Sequence, residues 1–164
     1  MSSMSQLTMA MITLYSGDAK RIQHFMKVYA YAKMIAEEEH VSAKHMETIE
    51  AAALVHDIGI HTAEKKYHSA EGQYQEKEGP PIARAMLIAL DFPPALINHV
   101  CEIVANHHMA KPSDDLDLQI LMEADFIVNA YEDNLSKKTI AAYRDKVFRT
   151  ETGIQYLNEM FALE

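Results

Sequence analysis

The chain has 164 residues, 49% hydrophobic and 24% charged, a balance that suits a globular domain with a buried core and excludes a disordered segment. Its formal net charge of −9 excludes a broad nucleic-acid surface, which needs clustered cations to displace counterions. The same charge repels free phosphate esters at long range, so a phosphorylated substrate would need a metal or local cations to draw it in.

Five glycines and five prolines leave little turn material for a many-stranded sheet, while long stretches of Ala, Leu, Ile, Met, Glu and Lys favour helices. Residues 1–17 lack a basic leader region, and their apolar run is too short to span a bilayer, so they read as a capping helix or a partly ordered arm. A first strong helix is expected from the N-cap Asp18 to about Glu39, with Ile22, Phe25, Tyr29, Ala32 and Ala36 at helical spacing. A second runs from Ser42 to Gly59, a residue suited to the left-handed position that stops a helix.

From His61 to Gly79 the chain is polar and reads as a mobile loop. Pro80 and Pro81 then start a third helix over Ile82–Asp91, and Pro93 and Pro94 start a fourth running to about Met109. After a break at Lys111, Pro112 and Ser113, Asp114 or Asp115 caps a fifth helix to about Tyr131. Ser136 and Thr150 open the last two. No segment alternates with a period of two, so the expected fold is an all-α, single-domain bundle of six or seven helices over 1–164. Its core lies at about 18–132 and its C-terminal helices at 136–163. Cys101 stands alone, which leaves no intramolecular disulfide and fits a reducing cytoplasm.

Nine histidines are many for so short a chain, and their placement carries the chemistry. Asp125 lies at helical spacing from Leu118, Leu121, Met122 and Val128, on the stripe that must be buried. A buried carboxylate needs a partner or protonates; it is either a paired core acid or a metal ligand. His56 follows Ile49, Ala52 and Ala53 on one face, with Asp57 directly after it in the last turn before Gly59. His24 sits beside Val28, Tyr31 and Ile35. His107 falls in register with Val100, Ile103 and Val104, and His108 is offset by about 100° of rotation. Four helices thus each present a His or Asp on or beside the buried side. Imidazole and carboxylate together suit Fe, Mn, Co, Ni or Zn, and one ion would satisfy all these groups at once. His40, His45, His61, His68 and His99 read as peripheral or solvent-exposed, and the eleven methionines as core filler.

The set of His24, the dipeptide His56-Asp57 within HDIG at 56–59, NHH at 106–108 and the later Asp125 resembles the HD-domain superfamily over about residues 20–132. The resemblance implies that His24, His56, Asp57 and Asp125 hold a metal. It also implies that Asp57 would bridge to a second ion held by His107 and His108, so one or two ions are expected. Two departures stand out. Ile60 occupies the place where many relatives carry Lys after HDIG, and Gln75 and Glu76 stand about where binuclear members carry a further His; Glu76 is the expected substitute ligand.

The activity implied is phosphohydrolysis of a small nucleotide-like ester, with a metal lowering the pKa of its water from 15.7 to about 7. A helper cation is expected as well, Arg84 first, then Lys65, Lys66 and Lys111. The alternatives are a di-iron oxygenase on the same fold and a non-enzymatic, metal-stabilised ligand-binding or signalling domain. A cyclic-di-GMP phosphodiesterase of the HD-GYP type is disfavoured, because Met-Ala-Lys-Pro-Ser-Asp-Asp follows His108 with no Gly-Tyr-Pro. The expected partner is a small phosphorylated molecule, with no nucleic acid and no membrane. No feature indicates an oligomer.

Overall fold

The computed structural model describes residues 3–164. Among these there are nine helices and no strand: α1 (Met4–Leu14), α2 (Ala19–Glu38), α3 (Ala43–Val55), α4 (Ile60–Tyr67), α5 (Gly72–Ala89), α6 (Pro94–Asn106), α7 (Leu116–Glu132), α8 (Lys137–Val147) and α9 (Glu151–Met160). The all-α expectation holds; α1 is the capping helix rather than the arm of the two N-terminal readings, and α4 is the helix beyond those expected. None of the described helices is long and apolar enough to cross a membrane.

Capping sets most of the boundaries. Asp18, Ser42, Asp115, Ser136 and Thr150 each accept a backbone N–H of the first turn they precede, which satisfies donors that have no partner inside the helix. Pro94 opens α6, where its missing N–H costs nothing.

α3 and α7 form the centre. Residues Ala51–Val55 are buried without interruption, and the small side chains of Ala51, Ala52 and Ala53 let α2, α6 and α7 close around them. Along α7, every residue from Asp117 to Asp125 is buried. The two helices enclosed on nearly every side therefore carry or lead into His56, Asp57 and Asp125.

The loop expected over 61–79 is instead α4 and the first half of α5. α4 is polar, but Ile60 and Ala63 bury one face, and its last turn ends at His68 in the left-handed region (φ 56°). α5 runs straight through Pro80 and Pro81, which do not start it. Each proline removes a helical hydrogen bond, at a cost of about 3 kcal/mol in an open helix interior. Packing of α5 on α4 and α6 holds the segment, and Cys101 on α6 donates its thiol to the Pro80 carbonyl (3.6 Å).

Gly59 also departs from expectation. Its φ of −79° is right-handed, so it does not end α3 by a left-handed turn. Its smallness serves a close approach of α5: a Cβ there would lie 2.7 Å from Gly79 N and 2.9 Å from Gln75 O. Both neighbours are backbone, so Gly59→Ala is expected to push α5 away and to cost about 1–3 kcal/mol by overpacking. Chemical denaturation would measure this. An unchanged midpoint would show that the contact is loose.

Candidate metal centre

His56 and His107 occupy equivalent places, at the C-caps of α3 and α6. The last carbonyls of a helix lack intrahelical partners. Here the His56 Nδ1–H donates to Ala53 O (2.7 Å) and the His107 Nδ1–H to Val104 O (2.9 Å). Each bond fixes the ring and turns Nε2 inward with its lone pair free. His24 is set in the same way from α2, its Nδ1–H donating to Glu132 Oε1 (2.6 Å) on α7, which Lys27 also grips (2.9 Å). Beneath the turn, the Tyr15 hydroxyl donates to the carbonyls of Ile58 (2.9 Å) and Asp57 (3.2 Å). The N-terminal helix is thus a support for the metal-facing turn.

Four atoms converge. His24 Nε2 lies 3.2 Å from His56 Nε2, 3.3 Å from Asp57 Oδ2 and 3.1 Å from Asp125 Oδ1. His56 Nε2 lies 3.4 Å from Asp57 Oδ2 and 3.3 Å from Asp125 Oδ1. Ligands about 2.0–2.1 Å from one ion stand about 3.3 Å apart in a tetrahedron and about 3.0 Å apart when cis in an octahedron. The observed separations, 3.1–3.4 Å, surround the tetrahedral value and lie just above the octahedral one. Two imidazole lone pairs at 3.2 Å repel each other unless a proton or a metal ion lies between them. The donor set therefore fits a divalent transition metal held by His24, His56, Asp57 and Asp125.

A second, smaller group shares Asp57 with His107 and His108. His107 Nε2 lies 3.0 Å from Asp57 Oδ1, and His108 Nε2 3.9 Å from the same oxygen. Burial, helped by repulsion from His107, lowers the His108 pKa to about 4, so this ring is neutral at pH 7. The residue beside it is Gln75, not Glu76. Gln75 Nε2 donates to Ala70 O (2.5 Å), which leaves Oε1 facing His108 Nε2 (3.2 Å). Glu76, about 100° further round α5, joins neither ligand group.

The expected helper cations are elsewhere. Arg84 is exposed and donates to Asn98 Oδ1 on α6 (3.0 Å), away from the cavity above the cluster. Lys65 and Lys111 are exposed, and Lys66 pairs with Glu78 (3.1 Å). The cations that line the cavity are Lys20 and Arg21, in the first turn of α2 and one helical turn before His24. Asn129, one turn after Asp125, donates to Asp125 Oδ1 (3.1 Å), and Glu132 follows on the same face. Stepping three or four residues back from His24, and four and seven on from Asp125, would have found all four.

Without metal, protons do part of the work. Burial opposes charge on His24 and His56, but the carboxylates of Asp125 and Asp57 outweigh it and raise the two rings to about 11 and about 10. Burial also opposes ionisation of Asp57 and Asp125, and the histidines overcome it and hold both below the ordinary 3.8. A raised histidine stabilises the fold fully below 6.5 and loses that contribution as pH climbs through 10–11; a depressed carboxylate contributes above 3.8 and loses it on acidification. In the metal-free protein the cluster thus contributes most between about pH 3.8 and 6.5. A metal must displace those protons, so uptake strengthens as pH rises. Added Mn(II) is expected to raise the melting temperature more at pH 8 than at pH 5.5. Equal gains at the two pH values would contradict this charge assignment.

No curated protein and no solved structure gives a significant match to the chain. The family model of the HD domain matches residues 21–130, a span that includes His24, the His56-Asp57 pair, His107, His108 and Asp125. With more than half of its length matched and its buried His/Asp cluster fit for a metal, the chain belongs to the HD domain family.

Proposed function

We propose that the protein is a metal-dependent phosphohydrolase that cleaves a phosphate ester of a small, nucleotide-like molecule. The observation that carries this reading is the cavity of about 290 Å³ with ligands Asp57, Asp125 and His24 in its wall and two cations, Lys20 and Arg21, beside them. When bound by His24, His56, Asp57 and Asp125, a divalent ion supplies a Lewis acid for a phosphoryl oxygen and an acidified water at neutral pH.

The chain's own groups do the rest. Asp57, in the wall of the cavity, accepts a hydrogen bond from the attacking water and aims its lone pair at phosphorus. Arg21 is held in place by Asp18 (3.2 Å) and Glu64 (2.8 Å), so its guanidinium meets the phosphoryl group without first being ordered. Lys20 adds a mobile charge that offsets the negative field of the protein as a whole. Phe25 and Ile60 exclude water from one side, while Asn129 and Asp133 offer hydrogen-bonding groups to the non-phosphate part of the substrate. A second ion at Asp57, His107 and His108 would have Gln75 Oε1 as its nearest further oxygen, a weaker ligand than imidazole. One ion is therefore the working stoichiometry.

The test is phosphate release from a panel of nucleotides and sugar phosphates with Mn, Co or Ni added. Turnover of at least one member, reduced by Arg21→Ala with metal content unchanged, supports the reading. No release from any member, with oxygen consumed by the ferrous protein, would replace it with the oxygenase; no release and no oxygen use would leave a binding domain.

A further inference from the structure

The metal cluster borders a second cavity. It measures about 140 Å³, is bounded by the α6–α7 connection, α7 and α8, and shares His108, Asp125 and Asn129 with the cavity that Lys20 and Arg21 line. No residue of α2 reaches it, and no lysine or arginine lines it. Tyr143 is the contribution of α8 to its wall. The Tyr143 ring lies flat on Phe126 (centroids 3.7 Å apart, planes 2° apart) and meets Phe148 edge-on (6.1 Å, 79°), so its hydroxyl oxygen is held in one place.

The polar groups around this cavity are neutral apart from Asp125, and they keep hydrogen-bonding capacity in hand. Burial, with the charges of Asp125 and Glu123 behind it, pushes the Tyr143 hydroxyl up to about 12, so the phenol keeps its proton and can donate. Among the described residues that hydroxyl has no hydrogen-bond partner. His108, neutral at pH 7, donates its Nε2–H to Gln75 Oε1 (3.2 Å), which leaves the Nδ1 lone pair free. Asn129 uses an amide N–H on Asp125 Oδ1 (3.1 Å), and its own Oδ1 takes no hydrogen bond from a described residue. One hydroxyl and two further acceptors suit a group that has protons to give as well as lone pairs. An ionised phosphate only accepts, and its match is the other cavity, at Lys20 and Arg21. Met122 and Phe126 add an apolar wall.

We propose, resting on the hydrolase reading for the position of the phosphoryl group, that this cavity is a second subsite of the centre. It takes an uncharged, hydroxyl-bearing group of the substrate, and Tyr143 is the residue that selects for it. With the phosphoryl group beside Arg21, the alcohol portion of the ester passes the shared wall of His108, Asp125 and Asn129. Its hydroxyls then meet Tyr143 Oη, His108 Nδ1 and Asn129 Oδ1. At about 30 Å³ per water the cavity has the volume of about four or five waters, which suits a short polyol or a single sugar ring. A whole nucleoside is too large for it, so a base, where the substrate has one, stays on the Lys20 side.

The experiment uses the manganese-loaded full chain and calorimetry of inorganic phosphate, glycerol phosphate, ribose phosphate and AMP, with metal counted in every protein. In the wild type at least one of these esters should bind more tightly than inorganic phosphate. Tyr143→Phe keeps the ring on Phe126 and removes only the hydroxyl. It should cut that gain by about 2–10-fold, the size of one neutral hydrogen bond, and leave inorganic phosphate unchanged. Ala110→Leu, at an exposed position in the cavity wall, should cut the gain as well by filling the space. If no ester binds better than inorganic phosphate, or if either variant keeps the gain in full, the subsite is overturned. Loss of metal from Tyr143→Phe overturns it too, since the residue would then be a support of the centre. Phosphate release is read separately. A panel without release removes the hydrolase reading, while a gain carried by Tyr143 would still mark the cavity as a subsite.

Discussion

Asp57→Ala is expected to strip the metal from the protein and, with it, any phosphohydrolase activity. Asp57 is the ligand shared by both groups: Oδ2 faces His24 and His56, and Oδ1 faces His107. Its loss removes one of four ligands and the charge that gathers three imidazoles. Changes one shell further out already cost about 10–100-fold in metal affinity or activity, so loss of the ligand itself should exceed about 100-fold in kcat/KM. Glu132→Gln is the matched comparison. It keeps a hydrogen-bond acceptor for the His24 Nδ1–H but discards the charge, and should fall within the 10–100-fold range. Metal counting and phosphate release on the three proteins would measure both. If Asp57→Ala kept stoichiometric metal and turnover, the centre would have to be built from other residues.

The residues of the buried His/Asp cluster were legible in the sequence because they obey local rules. His56 and Asp57 close a helix, Asp125 falls on a buried stripe, and His24 flanks one; helical period and position at a helix end were enough to bring them together. The cations beside that cluster were not. Arg84 looked suitable because Pro80 and Pro81 promised a helix start beside a loop, but α5 began eight residues earlier and carried Arg84 round to α6. A proline pair in a helix interior is stable only through its tertiary packing, and no local pattern reveals that. The same holds for Gly59, whose role depends on the backbone of a helix sixteen or more residues away. His45 and His99 seemed peripheral because each stands alone on its own helix. What joins them is Asp117, whose burial comes from α3 and α6 closing over the start of α7.

The largest expected effect on stability lies on the far side of α7. Glu123 is fully buried, and its acceptors are all used: Oε2 takes Gln119 Nε2 (2.7 Å), Arg149 N (3.0 Å) and Thr150 N (3.1 Å), while Oε1 takes the Thr150 hydroxyl (2.6 Å). No lysine or arginine side chain among the described residues pairs with it; its charge is met by backbone N–H groups at the N-terminus of α9, where the helix dipole favours an anion. Gly153 completes the arrangement, since a Cβ there would collide with Glu123 Oε1. Glu123→Ala leaves donors on the buried Gln119 and Thr150 and the backbone N–H of Arg149 without their acceptor, at about 1–3 kcal/mol for each that stays buried. Urea denaturation should therefore show a loss of about 3–5 kcal/mol, the sum of two or three such donors. Glu123→Gln keeps the volume and one oxygen, but its amide turns a donor toward donors, so it should fall between the wild type and Ala. Asp125 lies two residues on, about 200° round the helix. Below their melting temperatures both variants should hold as much metal as the wild type. Loss of metal along with stability would mean instead that α9 fixes the rotation of α7, and through it the position of Asp125.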